Sequence, residues 1–313
     1  MLWRGFLTTI ILALSCSWIH GQRRPGTDIE AQREAMRQAA QKEQDAHAQE
    51  GVYDQLRQRG KDSSSSPTTA PLDKATIERV RQFRQVDPQI IASYSAFLKA
   101  QNTGVTRFFI NNGCQSAGVI NAADRCHDFI PRSYVFSFRT KDYANEPYGD
   151  ITFYSNGIFA GGFFEQSAIV SLGDIPIESV DISNAGAKVL SAIPVAKDFD
   201  TAKEMAGQLK QGYVSDNVAV SMAAKATVNT TYAVRVIAYK AGISIRPLSE
   251  KSTMMEKWFL SLDNDARGDI LAVFRIVDMK PNGAVTAVWK VLEHKDATKL
   301  KFGKDEALAD FRQ

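Results

Sequence analysis

Asp269-Ile-Leu-Ala-Val-Phe-Arg-Ile-Val277 and Ala284-Val-Thr-Ala-Val-Trp-Lys-Val-Leu292 flank the turn Pro281-Asn282-Gly283. Both arms are rich in β-branched and aromatic residues. In the second, Val285, Ala287, Trp289 and Val291 fall on one side at the strand period of two. Two such arms around a Pro-Asn-Gly turn predict an antiparallel pair. Just upstream, Thr231 to Lys240 alternates in the same way, with Tyr232, Val234, Val236 and Ala238 on one face. The last third of the chain therefore reads as an antiparallel meander, with a helix expected over Met254 to Leu262 between its strands.

Strand signals also run further toward the N-terminus. Asp150 to Ser155 and Ile158 to Phe164 flank Asn156-Gly157, a strong short hairpin signal because both central residues need positive φ. Tyr134, Phe136 and Phe138 alternate with Val135, Ser137 and Arg139. Val105 to Ile110 is a β-rich run ending at the turn Asn111-Asn112-Gly113. Helical signals are fewer. Ile77, Val80 and Phe83 form one stripe. Asp87-Pro88 is a helix start, and Ile90, Ile91, Tyr94, Phe97 and Leu98 then follow a helical period that Gly104 is expected to close. Ala202, Met205, Ala206 and Leu209 mark another helix, closed by Gly212. The expected fold is α+β: a mainly antiparallel sheet with a few packed helices, over residues 72–302, with 303–313 as a C-terminal tail. No internal repeat of 20–50 residues suggests a solenoid or propeller.

Before this domain the chain changes character. Residues 62–71, Asp62-Ser-Ser-Ser-Ser-Pro67-Thr-Thr-Ala-Pro71, form a linker by composition. Residues 22–61 are polar and helix-prone, starting at the capping-box spacing of Thr27 and Glu30. Their apolar residues, Ile29, Met36, Val52, Tyr53 and Leu56, keep no heptad, so a solvated helix or disordered stalk is expected, with a partner helix as the alternative. Residues 1–21 read as an export signal: Arg4, an apolar run from Phe6 to Leu14, then the small residues Ser15, Ser17 and Gly21. The run is too short to span a bilayer comfortably. Three outcomes follow: cleavage after Gly21, lipidation at Cys16 in the lipobox-like Leu12-Ala-Leu-Ser-Cys16, or an uncleaved anchor. Ala13 stands where a lipobox usually has Leu.

Composition sets bounds. Of 313 residues, 44% are hydrophobic and 23% charged, which is ordinary globular usage; net charge is +3 with no Lys/Arg block, so no nucleic-acid partner is suggested. Two cysteines follow the leader, Cys114 and Cys126, and an even pair in an exported chain predicts a disulfide. His127 beside Cys126 offers two other readings, a thiol nucleophile or part of a zinc site. Catalytic Cys–His pairs are made in space, however, and a zinc site needs further ligands.

The stretches Asn112-Gly-Cys114 to Cys126, Leu172-Gly-Asp-Ile-Pro-Ile-Glu178, Asn229-Thr-Thr-Tyr-Ala233, and Asp269 to Ile276 with Trp289-Lys290 resemble a group of exported bacterial proteins of unknown function, over about residues 105 to 300. The resemblance implies export and no activity.

Other chemistry is sparse. Asp263-Asn-Asp265-Ala-Arg267-Gly268-Asp269-Ile270 is similar to the start of an EF-hand loop, but Arg267 takes a ligand position and Phe274 stands where the bidentate Glu belongs. An Asp-rich turn is expected. Gly161-Gly162 inside a strand pattern predicts a bulge or tight bend. No phosphate loop, nucleophile elbow or His-Glu-x-x-His motif occurs. Glu165 and Asp150 are carboxylates that could meet across strands. Asn229-Thr-Thr231 is a glycosylation sequon. The aromatic strands are expected to form core, with a carbohydrate-stacking face as the alternative. No catalytic, cofactor-binding or metal-binding residue is assigned. The function expected is an exported, non-catalytic binding or structural module of the cell envelope, its ligand unassigned and an envelope protein or glycan the candidate partner. The alternatives are a hydrolase whose carboxylates converge only in the fold, and an adaptor tethered to the membrane through Cys16 or an uncleaved leader.

Overall fold

The structure, a computed structural model, describes residues 72–116, 119–155, 157–241, 266–303 and 311. The leader with Cys16, residues 22–61, the linker 62–71, and the helix expected over Met254 to Leu262 lie outside the described residues.

Two short helices open the described chain. Helix α1 (Lys74–Phe83) starts where the Asp73 carboxylate accepts the Thr76 amide at 2.7 Å. Helix α2 (Pro88–Ser93) starts at Asp87, which accepts the Gln89 amide at 2.8 Å, with Pro88 in the first turn. Contrary to expectation, α2 does not run on to Gly104. A 3-10 turn occupies Phe97–Lys99, and strand β1 (Thr103–Phe109) already contains Gly104. Of the expected apolar face only Phe97 is buried, and Ile91 is 43% exposed. Tertiary pairing overrides the helical period here. Gly104 lies under the Trp289 indole, where a Cβ would fall 2.3 Å from Cζ2.

The strands that follow are β2 (Gln115–Ser116), β3 (Val119–Ile120), β4 (Val135–Ser137), β5 (Asp142–Tyr143), β6 (Ile151–Tyr154), β7 (Gly157–Ala160) and β8 (Glu165–Gly173). Helices α3 (Ala185–Ser191) and α4 (Phe199–Gln211) come next. Asn184 and Asp198 cap their N-termini, and Gly212 at φ +74° ends α4. The chain continues through β9 (Tyr213–Ser215), β10 (Val218–Val220), β11 (Ala223–Ala224), β12 (Thr231–Ala238), β13 (Lys240–Ala241), β14 (Gly268–Met279), β15 (Ala284–Asp296) and β16 (Lys299–Leu300).

The strands build two antiparallel five-stranded sheets. The long one has the order β1-β15-β14-β12-β8, the short one β11-β7-β6-β4-β5. They bury a common core of Phe108, Phe136, Phe138, Phe153, Tyr232, Phe274, Trp289 and aliphatic neighbours. The other face of the long sheet buries Ala233, Leu271, Val273 and Val288 against Val189 and Leu190 of α3 and Leu209 of α4. Both faces of the central strands are therefore covered, and all eight residues of β12 are buried. This explains why the alternation sorts residues between two apolar environments rather than between core and water.

Two isolated bridges also link the regions of the two sheets. Ile169 of β8 bridges Ser221, just before β11, and Asn111 beyond β1 bridges Tyr154 of β6. The first of them occupies groups of the edge strand β8 that would otherwise stand open. Phe311, within the expected tail, is buried against Phe164, with ring centroids 5.0 Å apart.

Candidate functional site

The carboxylates Asp150 and Glu165 do come together, around Arg139. Arg139 lies just past β4, Asp150 just before β6 and Glu165 at the first position of β8. Arg139 Nε donates to Asp150 Oδ1 at 2.7 Å, and its Nη2 donates to Glu165 Oε1 at 2.8 Å. Arg267, just before β14, places Nη1 3.6 Å from the same Glu165 oxygen. The remaining acceptors are also engaged. Asp150 Oδ2 accepts from Ser137 Oγ at 3.0 Å and from the Arg139 amide at 3.2 Å, and Glu165 Oε2 accepts from the Gly162 amide at 2.5 Å. The side chains of Arg139, Asp150 and Glu165 have 0% exposure. Two cations and two anions thus form a neutral group beneath the protein surface.

Burial pushes the Glu165 carboxyl up, from 4.5 to about 7; Arg139 and then Arg267 pull the other way, and Asp150 adds to the rise. A raised carboxyl is a common attribute of a general acid. Substrate contact needs an exposed oxygen, however, and this one faces only protein.

The group sits where the chain leaves the short sheet for the long one. That corner is Gly161-Gly162-Phe163-Phe164, between β7 and β8. Gly161 has φ +85°, and a Cβ on Gly162 would fall 2.5 Å from the Pro147 carbonyl oxygen. The glycine pair is therefore a tight bend with close backbone approach, as expected of it. The expected strand Ile158 to Phe164 is instead cut at Gly161, and a separate strand begins at Glu165. Phe164 itself has φ +59°, an uncommon conformation for a bulky residue. It is held by burial against Phe199, Tyr239, Phe302 and Phe311, and by Arg267 Nη1, which donates to the Phe163 and Phe164 carbonyls at 2.9 and 3.3 Å.

A second arginine group holds α3. Arg235 of β12 makes two bonds to Asp269, at 2.9 and 2.8 Å. Its Nη1 also donates to the carbonyls of Leu190, Ser191 and Ile193 at 2.9, 2.9 and 2.7 Å. A helix end leaves carbonyls without internal partners, and the guanidinium supplies them. Asp269 and Arg267, two positions of the EF-hand-like stretch, are thus occupied by ion pairs, while Phe274 is core; Asp263 to Asp265 lie outside the described residues.

Cys114 and Cys126 form a disulfide. Both are buried, in a small core with Val80, Phe109, Phe129, Ile130 and Tyr134. Asn111 shapes the turn ahead of Cys114: its Oδ1 accepts the amides of Cys114 and Gln115, and its Nδ2 donates to the Gln115 carbonyl. Helix α1 clasps the far side of the loop. Arg79 donates to the carbonyls of His127 and Phe129, and Arg84 stands 3.6 Å over the Tyr143 ring. The His127 side chain is 85% exposed beside Asp128. The neighbouring sulfur is consumed, so Cys126 and His127 make no thiol–imidazole pair. Val119 and Ile120 on β3 lie at the surface, 57% and 40% exposed.

Among the described residues no group of three or more His, Cys, Asp or Glu is placed to hold a metal. None of their helices is long and apolar enough to cross a membrane. Asn229 is exposed in the turn before β12, while Thr231 of its sequon is buried and donates to the Ile175 carbonyl.

Sequence reading missed the arginines. Arg139 and Arg235 stand inside strongly apolar, alternating runs. A lone arginine at such a position is costly to bury and signals a buried carboxylate partner. Neither partner is near in sequence: Asp150 is 11 residues away and Asp269 is 34.

Fold and site together define an α+β protein of two facing sheets, helices on one outer face and a disulfide-stapled loop. Comparison with protein-family models, curated proteins and solved structures finds no match for the chain.

Proposed function

We propose that the chain is an exported, non-catalytic binding or structural module of the cell envelope, whose partner is an envelope protein or glycan. The observation that carries this reading is the complete enclosure of Asp150 and Glu165. These carboxylates converge as a hydrolase would require, yet every oxygen is bonded inward and none meets solvent. Their arrangement serves to hold two sheets at a corner. The disulfide and the signal-like first 21 residues support an oxidising compartment outside the cytosol.

The test has two arms. Carbodiimide labelling of the native protein, read by peptide mass, should modify Asp150 and Glu165 only after unfolding. Labelling of either in the folded state would revive the hydrolase. Fractionation of the producing cell should recover the chain outside the cytosol with Cys114 and Cys126 joined. A cytosolic chain with both thiols free would remove the compartment from the reading.

A further inference from the structure

We infer that one outer face of the domain, carrying Lys240, Lys299 and Lys301, is a docking surface for an anionic lipid bilayer. The three lysines come from separate segments, so no basic run in the sequence announces them. Strand β13 pairs with β16 in parallel, which sets Lys240 directly opposite Lys299. Lys301 lies two residues on, on the same side, and makes an isolated parallel bridge with Asp198, the residue that caps α4. The opposite side of this small sheet is core: Leu300, Tyr239 and Phe199 are buried together. All three lysines are exposed, as is Lys197, whose carbonyl accepts the Lys301 amide at 3.2 Å.

Like charges directly opposite on paired strands, with Cβ atoms about 5 Å apart, repel. Nothing among the described residues relieves this, since none of the four lysines is ion-paired. The nearest carboxylate in register, Asp198, is committed to the Thr201 amide at 2.9 Å as the cap of α4. An external anionic partner would remove the repulsion.

The chemistry of the face selects among anionic partners. Among the described residues it offers ammonium groups, with no arginine fork for bidentate phosphate recognition. Among the described residues it has no exposed aromatic on which a base or sugar could stack, because Phe302 shares the core side with Phe164 and Phe199. Compact point charges spread over a small flat sheet fit a diffuse negative surface. Near an anionic leaflet each lysine adds roughly fivefold to partitioning. This inference does not rest on the envelope reading, since the vesicle experiment measures the face alone.

The experiment is sedimentation of the full chain with phosphatidylcholine vesicles, with and without phosphatidylglycerol. The leader carries Arg4 and itself favours anionic lipid, so the quantity read is the part of the gain on adding that lipid which the lysines of this face supply. That part should be about a hundredfold at low ionic strength and vanish near 1 M salt, where the Debye length is about 3 Å. K240E/K299E/K301E should abolish it. K74E/K188E/K225E, which has the same net charge, should retain it, and circular dichroism should show both variants folded. K240Q/K299Q/K301Q serves if the reversal disturbs folding. Equal loss in both lysine triples would reduce the effect to net charge and overturn the docking face. So would equal partitioning to both vesicle types, or binding to a soluble polyanion such as DNA without binding to anionic vesicles.

Discussion

The chain holds two irregular regions in place by opposite means. The corner at residues 161–164 is fastened by charge: Arg139, Asp150, Glu165 and Arg267, all inside. The loop from Asn111 to Tyr134 is fastened by a covalent bond. The difference follows burial. At the corner, enclosure by two sheets makes an ion pair hard to break, because removing one partner strands the other in a medium that cannot solvate it. The loop lies at the periphery, with Val119 and Ile120 at the surface and one small apolar core beneath. It buries too little to order itself, and a cross-link compensates by removing freedom from the unfolded chain.

The largest effect should come from the corner. Arg139→Met leaves Asp150 and Glu165 buried without their shared cation and should cost about 4 kcal/mol, read by denaturant unfolding. A cost under about 1 kcal/mol would mean the group is not a fastening at all.

Replacing Cys114 and Cys126 by Ala together should cost about 3 kcal/mol in the chain-entropy model. The loss should be local. Amide exchange should rise over the loop and α1, whose Arg79 bonds to it, and stay unchanged in β12 and β14. Uniform loss of protection would show that the loop and the sheets form one cooperative unit.

The third prediction separates the two by pH. Glu165 has its carboxyl raised from 4.5 to about 7 in the folded protein. Between those values the native state holds a proton that the unfolded chain has released. This group's stabilising contribution is therefore complete below 4.5 and is lost as pH rises through about 7, with a slope of at most about 1.4 kcal/mol per pH unit. Glu165→Gln should flatten that stretch of the stability profile. An unchanged profile in the variant would assign the slope to other groups. The smallest effect belongs to Ile120→Ser on exposed β3, which should change stability by less than about 0.5 kcal/mol.

What could be read in advance divides along the same line. The β14–β15 hairpin, β12, α4 with its glycine stop, and the cysteine pair were legible because each depends on neighbours in sequence. The corner was not. Ile158 to Phe164 reads as one strand until Gly161 turns the chain between sheets, and β8 is then hidden behind Phe163 and Phe164. The over-long helix after Asp87 has the same origin: periodicity saw Ile90, Ile91, Tyr94, Phe97 and Leu98, while pairing with β15 claimed Thr103 onward. Asp150 and Glu165 were visible as carboxylates that strands might join. Their enclosure was invisible, because it depends on two arginines whose partners are chosen by topology.

Arg267 bonds to the carbonyl of Phe163, 104 residues earlier in the chain. That separation gives the corner an order of assembly. A chain emerging from its N-terminus presents Arg139, Asp150 and Glu165 well before the second guanidinium exists beside them, so two carboxyls share one guanidinium until β14 arrives. Closing the corner therefore requires the ends of a long loop to meet, which costs chain entropy. Chains ending before residue 267 lack the cation that completes the junction of the short sheet with the long one.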